Sequence, residues 1–143
     1  MVQMSSEEAV KAWNLIRLSL ALSFPPGIPP TEATLVNMQR ALIEGRLTAW
    51  ALILEGKIYA IATTTITEDT MAGIRTFYIY SLSSFYNIPT RAWKIGIESF
   101  YEEARKRGCY SIVARTNNKR LIKLVGKMGT RTDIAHLNME VPR

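Results

Sequence analysis

Cysteine and histidine are almost missing: the 143-residue chain has one of each, Cys109 and His136. A single thiol excludes an intramolecular disulfide and suits a reducing compartment. His136 has no cysteine or acidic cluster beside it at ligand spacing, so neither a metal centre nor a histidine-based triad is expected. Cys109 opens an apolar segment, which predicts an inert buried thiol rather than a nucleophile. Long apolar runs are lacking too. The longest, Trp13–Phe24, is interrupted by Arg17 and is too short to span a bilayer. The first residues, MVQMSSEE, are acidic where a secretory leader would be basic. The expectation is a cytoplasmic type of protein with no membrane partner.

What is present describes an ordinary folded chain. Apolar residues make up 48% and charged residues 21% of it, enough for one core and one domain over 1–143. The net charge of +6 is unevenly placed. From Arg91 onward there are 12 basic and 5 acidic residues, against 6 and 7 before it. Lys119, Lys123 and Lys127 recur every four residues, with Arg120 beside them, and form one helical stripe. Such a stripe is a solvated face, or a surface for phosphate, nucleic acid or an acidic protein. No nucleic-acid-binding motif accompanies it.

Residues 74–129 organise the chain. Ile74–Phe85, IRTFYIYSLSSF, is rich in β-branched and aromatic residues and predicts a strand. After a break at Tyr86–Pro89, Trp93, Ile97, Phe100 and Ala104 recur at helical spacing. Glu102/Lys106 and Glu103/Arg107 are i,i+4 pairs on the outer face, and Gly108 ends the helix. Cys109–Arg115 predicts a second strand. Asn117 or Asn118 then caps a helix carrying Leu121, Leu124, Val125 and Met128, closed by Gly129. Strand, helix, strand makes a parallel βαβ unit.

Upstream, Ser5 and Glu8 form an S-x-x-E capping box before a helix reaching about Ser23. Its end, Leu18-Ser-Leu-Ala-Leu-Ser-Phe24, is apolar almost all round, so it is sandwiched in the core or covered by a partner. The proline-rich 24–30 is a stiff crossing rather than a domain boundary. Thr31 starts a second helix that buries Leu35, Met38 and Leu42 and stops at Gly45. Thr48–Leu54 and Lys57–Thr67 are strands joined by a tight turn at Glu55-Gly56. Both are apolar on both faces, as in a sheet covered on each side. Glu68–Gly73 is a polar turn. Asp133–Val141 alternates cleanly and predicts a last strand near a sheet edge.

This order resembles the GNAT superfamily, the acetyl-CoA-dependent N-acetyltransferases, over about the last two thirds of the chain. The residues that carry the likeness are Ala104-Arg-Lys-Arg-Gly108 ending the long helix, then a strand, Asn118, and a helix ending Lys127-Met-Gly129. The resemblance implies an α+β fold of three layers, α/β/α, with a central mixed, largely antiparallel sheet flanked by helices. Residues 1–4 supply the family's initial strand only poorly. It also implies acetyl-CoA as the cofactor, held by a loop of pattern Q/R-x-x-G-x-G/A whose main chain approaches the diphosphate.

Counting back from Ala104 puts that loop on Ile88-Pro-Thr-Arg-Ala-Trp93, where every diagnostic position is replaced. Pro89 removes one N–H from it. Arg91 and Lys94 could compensate by side chain, and Trp93 could plug the cleft or simply be a core residue. The family's proton donor is a tyrosine seven residues after the helix-capping asparagine; here that position is Val125. Tyr78, Tyr80 and Glu68 remain as candidate acids or bases, with no catalytic residue assigned. On the resemblance, Tyr80, Leu82, Thr90, Arg91, Ala92, Trp93 and Asn118 would line the cofactor site.

Three functions follow as expectations. The first is a GNAT-fold protein that no longer transfers acetyl groups and works through protein contacts or self-association. Small divergent GNAT-like proteins of tailed bacteriophages are similar in size, in the 104–109 segment and in the glycine-poor loop. That likeness implies a virion or assembly component in the host cytoplasm or the particle. The alternative is an active acetyl-CoA-dependent N-acetyltransferase with a divergent loop. The third, a nucleic-acid-binding module using the lysine stripe, has least behind it.

Overall fold

The computed structural model describes residues 1–116, 119–127, 129 and 139–142. Along them run β1 (Val2–Gln3), α1 (Ser6–Lys11), α2 (Trp13–Leu22), α3 (Glu32–Ile43), β2 (Thr48–Leu54) and β3 (Lys57–Asp69). They are followed by β4 (Ile74–Ser84), α4 (Thr90–Lys106), β5 (Ser111–Ala114) and α5 (Lys119–Gly126). The strands form one sheet in the order β1-β2-β3-β4-β5, antiparallel as far as β4. β5 joins β4 in parallel, because α4 carries the chain back along the sheet before it re-enters. Glu55 and Gly56 both have positive φ, 52° and 75°, as a two-residue hairpin between right-twisted strands requires.

Two cores lie on opposite faces of the sheet, which makes the three layers α/β/α. On one face Ile16 and Leu20 of α2 and Leu35, Met38 and Leu42 of α3 pack over Ala49, Ala51 and Ile61. On the other, Phe100 and Ala104 of α4 cover Trp50, Ala62 and Phe77. Trp50 meets Phe100 edge-on, with ring centroids 5.3 Å apart. Alternating small and large residues along β2 and β3 leave room for these rings. α3 starts at Thr31 and stops at Gly45 as its sequence predicts, and the structure adds a reciprocal capping box between Thr31 and Thr34, with Gly45 at φ 75°.

Several expectations are corrected. Residues 1–4 do supply an initial strand, since Val2 and Gln3 pair with Ala51 and Trp50 and the Met4 N–H donates to Ala49 O. Two residues give too little pattern to be read, and the pairing is fixed by β2. The first helix is two helices. Ser5 caps α1 by accepting from the Glu8 N–H, but the helix stops at Ala12 and restarts at Trp13. α1 packs on α3 whereas α2 lies against β3 and β4, and those partners set two directions. Leu18 and Leu22 are 51% and 63% exposed, so the core takes only one side of α2.

The buried row of α4 is Ala92, Gly96, Phe100 and Ala104. Trp93 and Ile97 sit half-buried at its margin. Small residues let the helix lie close to what it covers, and a Cβ added at Gly96 would stand 3.4 Å from the Met1 side chain. Of the two predicted ion pairs on α4, Glu103–Arg107 forms at 2.8 Å, while Glu102 and Lys106 are not paired. Cys109 precedes β5 rather than opening it and is half-buried. Asn117, Asn118, Met128, His136 and residues 133–138 of the expected last strand lie outside the described residues. Met139–Pro142, the described end of that run, are not in a strand, and Met139 and Val141 are largely exposed.

Candidate functional site

Two features meet at the C-terminal end of β4. The first is the start of α4. Pro89 is the N-cap, and the first helical bond runs from the Trp93 N–H to Pro89 O at 3.1 Å. The N–H groups of Thr90, Arg91 and Ala92 therefore point out of the helix end with no acceptor among the described residues. No carboxylate stands in the first turn, and Arg91 and Lys94 are exposed beside it. Aligned peptide dipoles and two cations make this end favourable for an anion. The donor that Pro89 lacks is not one of the three, because the residue lies outside the first turn.

The second feature is the edge of β4. The β3–β4 ladder steps from Thr63↔Ser81 to Thr64↔Ile79, so Tyr80 is an extra, bulged residue. Tyr80 packs toward the α1–α3 core and Leu82 toward the α4 core, so the two lie on opposite faces of the sheet. β5 pairs with β4 only from Thr76 to Ile79, while β4 runs five residues further to Ser84. Beyond Ile79 that edge of β4 has no strand beside it among the described residues.

Tyr78 stands just before this open stretch. Its hydroxyl is buried and has no hydrogen-bond partner among the described residues. Its ring meets Tyr80 edge-on at 5.8 Å, and the Arg115 guanidinium lies 5.4 Å from the ring centroid. Burial pushes the Tyr78 phenol above its usual range, and Arg115 partly opposes the rise. Tyr80 is raised as well, by burial first and then by Tyr78, against Arg115. Burial likewise raises Cys109, with Arg75 and Arg107 opposing.

All three groups favour their neutral forms in the folded state. They therefore support stability below their unfolded pKa values, about 9 for the thiol and 10 for the phenols, and withdraw it as pH rises through the higher folded values. The melting temperature is expected to fall steadily above about pH 9. Melting curves from pH 7 to 11 check this; a flat profile would contradict it.

Of the residues that the sequence nominated, Thr90, Arg91, Ala92 and Trp93 come together as the first turn of α4, while Tyr80 is the bulged residue and Leu82 lies two residues beyond it. Asn118 lies outside the described residues. Glu68 is exposed and pairs across the ladder with Arg75, three residues beyond Tyr78's partner Thr65 and away from the bulge. Val125 is half-buried on α5 and has no proton to give. Arg115 carries no sequence signal; only the ladder register brings it over Tyr78.

A cavity of about 540 Å³ runs from the start of β2 and the end of α4 to Thr64 and Tyr80 at the bulge. Its arginines are engaged within the chain. Arg46 pairs with Glu44 at 2.6 Å, Arg107 with Glu103 at 2.8 Å, and Arg75 donates to Arg107 O at 3.1 Å. Lys119, Lys123 and Lys127 are exposed. Among the described residues no group of three or more His, Cys, Asp or Glu is placed to hold a metal ion. No described helix is long and apolar enough to cross a membrane.

No family model matches the sequence, and no curated protein matches it. Solved structures do match the fold. A probable acetyltransferase superposes with a TM-score of 0.72 at 12% identity, over 99% of this chain and 96% of that one. An aminoglycoside acetyltransferase from an uncultured soil metagenomic sample gives 0.66 at 22%, over 98% and 96%. AAC(6')-Iy, in complex with the bisubstrate analogue CoA-S-monomethyl-acetylneamine, gives 0.67 at 14%, over 98% and 96%. The chain has the GNAT acetyltransferase fold.

Proposed function

We propose that the chain binds acetyl-CoA and is an N-acetyltransferase whose diphosphate site is built from a helix end and two cations instead of glycines. The observation that carries this reading is the set of unpaired N–H groups at Thr90, Arg91 and Ala92, with Arg91 and Lys94 beside them. Those groups suit a diphosphate. The edge of β4 beyond Ile79, which has no strand beside it among the described residues, offers main-chain groups to the amides of a pantetheine arm. When bound, the cofactor would supply an activated acyl thioester. The chain's own part is to hold the diphosphate, to order the arm along β4 and to place a proton donor near the reacting end.

A second reading keeps the fold without catalysis: a protein acting through contacts with other proteins or with its own copies. Val125 at the usual donor position and the exposed Leu18 and Leu22 on α2 favour it. The likeness to bacteriophage-encoded relatives would make such a protein a virion or assembly component.

Calorimetric titration with acetyl-CoA separates the two. The first reading expects saturable heat and thermal stabilisation, about 2.7 kcal/mol at a hundred times Kd. No heat and no shift at millimolar ligand would leave the non-catalytic reading in its place.

A further inference from the structure

We infer that the Tyr78 hydroxyl is the proton donor of this site, filling on β4 the role that Val125 leaves empty on α5. The inference rests on the acetyl-CoA reading, but its evidence is separate. A polar atom buried without a partner is costly, and in native proteins it calls for a specific explanation. Among the described residues, Tyr78 Oη is such an atom. If Tyr78 served only to pack, phenylalanine would do as well without the orphaned hydroxyl. An acceptor that arrives with a ligand accounts for both the group and its place.

The place is right for the reacting end of a pantetheine arm. Tyr78 is opposite Val113, one residue before the parallel ladder ends and two before the Tyr80 bulge. Its neighbour Phe77 packs on Phe100, ten residues into α4 counted from Thr90. That is about 15 Å along the helix axis from the anion-binding end, and the Tyr78 ring lies on the other face of the sheet, beside Tyr80. Tyr80, the other candidate on this strand, is only half-buried, and its hydroxyl is not among the orphaned atoms.

In the transfer step, Tyr78 Oη gives its proton to the thioester sulfur as the amine nitrogen bonds to the carbonyl carbon. The C–S bond breaks with its electron pair on sulfur, and the proton shed by the nitrogen restores the phenol through solvent. Desolvation keeps the phenol protonated until that moment. The Arg115 guanidinium, 5.4 Å from the ring, then faces the phenolate and is the positioning residue of the pair. Arg115 is the charged group that acts on Tyr78, and Tyr78 in turn raises Tyr80, whose ring it meets.

The test compares wild type with Tyr78→Phe, using ADP and CoA as two probes in calorimetry. ADP carries the diphosphate and lacks the arm; CoA carries both. Tyr78→Phe is expected to melt at the same temperature or higher, to bind ADP unchanged and to bind CoA about fivefold or more weakly. Turnover of acetyl-CoA should fall about a hundredfold. Absorbance titration of the tyrosines in the wild type gives a readout without substitution: CoA, but not ADP, should shift one phenol. Unchanged CoA affinity and turnover in Tyr78→Phe, or no phenol shifted by CoA, overturn the assignment while leaving acetyl-CoA binding in place. If wild type binds neither probe, the acetyl-CoA reading fails and takes the assignment with it.

Discussion

Replacing Arg91 and Lys94 together by glutamate is expected to weaken acetyl-CoA binding by at least about a hundredfold and to leave the melting temperature unchanged or slightly raised. Hydrogen bonds to charged groups are worth about 1.5–3 kcal/mol each, so losing two corresponds to two to four decades in Kd. Repulsion between the new carboxylates and the diphosphate adds to that loss. The effect on folding has the opposite sign. Both positions are exposed in or beside the first turn of α4, where no acidic residue now stands. A carboxylate there interacts favourably with the helix dipole by about 0.3–1 kcal/mol. Calorimetry and melting of one sample read both quantities. Retained affinity in the double variant would place the anion away from the start of α4.

The largest expected effect on stability comes from further along the same helix, at Phe100. Phe100 is 1% exposed and touches both Trp50 and Phe77, at centroid distances of 5.3 Å and 5.7 Å. Phe100→Ala should cost about 3–5 kcal/mol through lost burial and the cavity left between α4 and the sheet. Domains of this size have only about 5–15 kcal/mol in total. Trp93→Ala should cost far less despite its larger side chain, because Trp93 is half-buried and belongs to neither core. Urea unfolding of the two variants ranks them. A greater loss at Trp93 would mean that the face assigned to α4 is wrong.

That contrast shows where sequence patterning stops being sufficient. Trp93, Ile97, Phe100 and Ala104 is a good helical row by hydrophobicity, and α4 forms over the expected residues. The packed row is rotated to Ala92, Gly96, Phe100 and Ala104 because small residues allow close approach, and hydrophobicity gives small residues little weight. The helix α3, by contrast, was fully legible. Its cap, its buried row and its terminal glycine are all local signals, and its buried residues Leu35, Met38 and Leu42 are those expected. The two helices α1 and α2 read as one because nothing in their sequence marks Ala12; α3 and the sheet impose the break.

The candidate site divides in the same way. A proline before a run that contains Arg91 and Lys94 is visible in the sequence, but only the helix start shows that Pro89 lies outside the donor set. The aromatic strand 74–85 is visible too. The bulge at Tyr80, the end of the ladder at Ile79 and the approach of Arg115 to Tyr78 depend on how β3, β4 and β5 register with one another.

By itself, then, the sequence determined the order of elements from α3 to α5 and the two-sided apolar pattern of β2 and β3, since these follow from residues near one another in the chain. Tertiary structure alone decided which face of α4 is buried, that residues 2–3 complete the sheet, and that a phenol is shut away without a partner among the described residues where β5 leaves β4. Those outcomes depend on contacts between segments tens of residues apart, and local spacing carries no record of them.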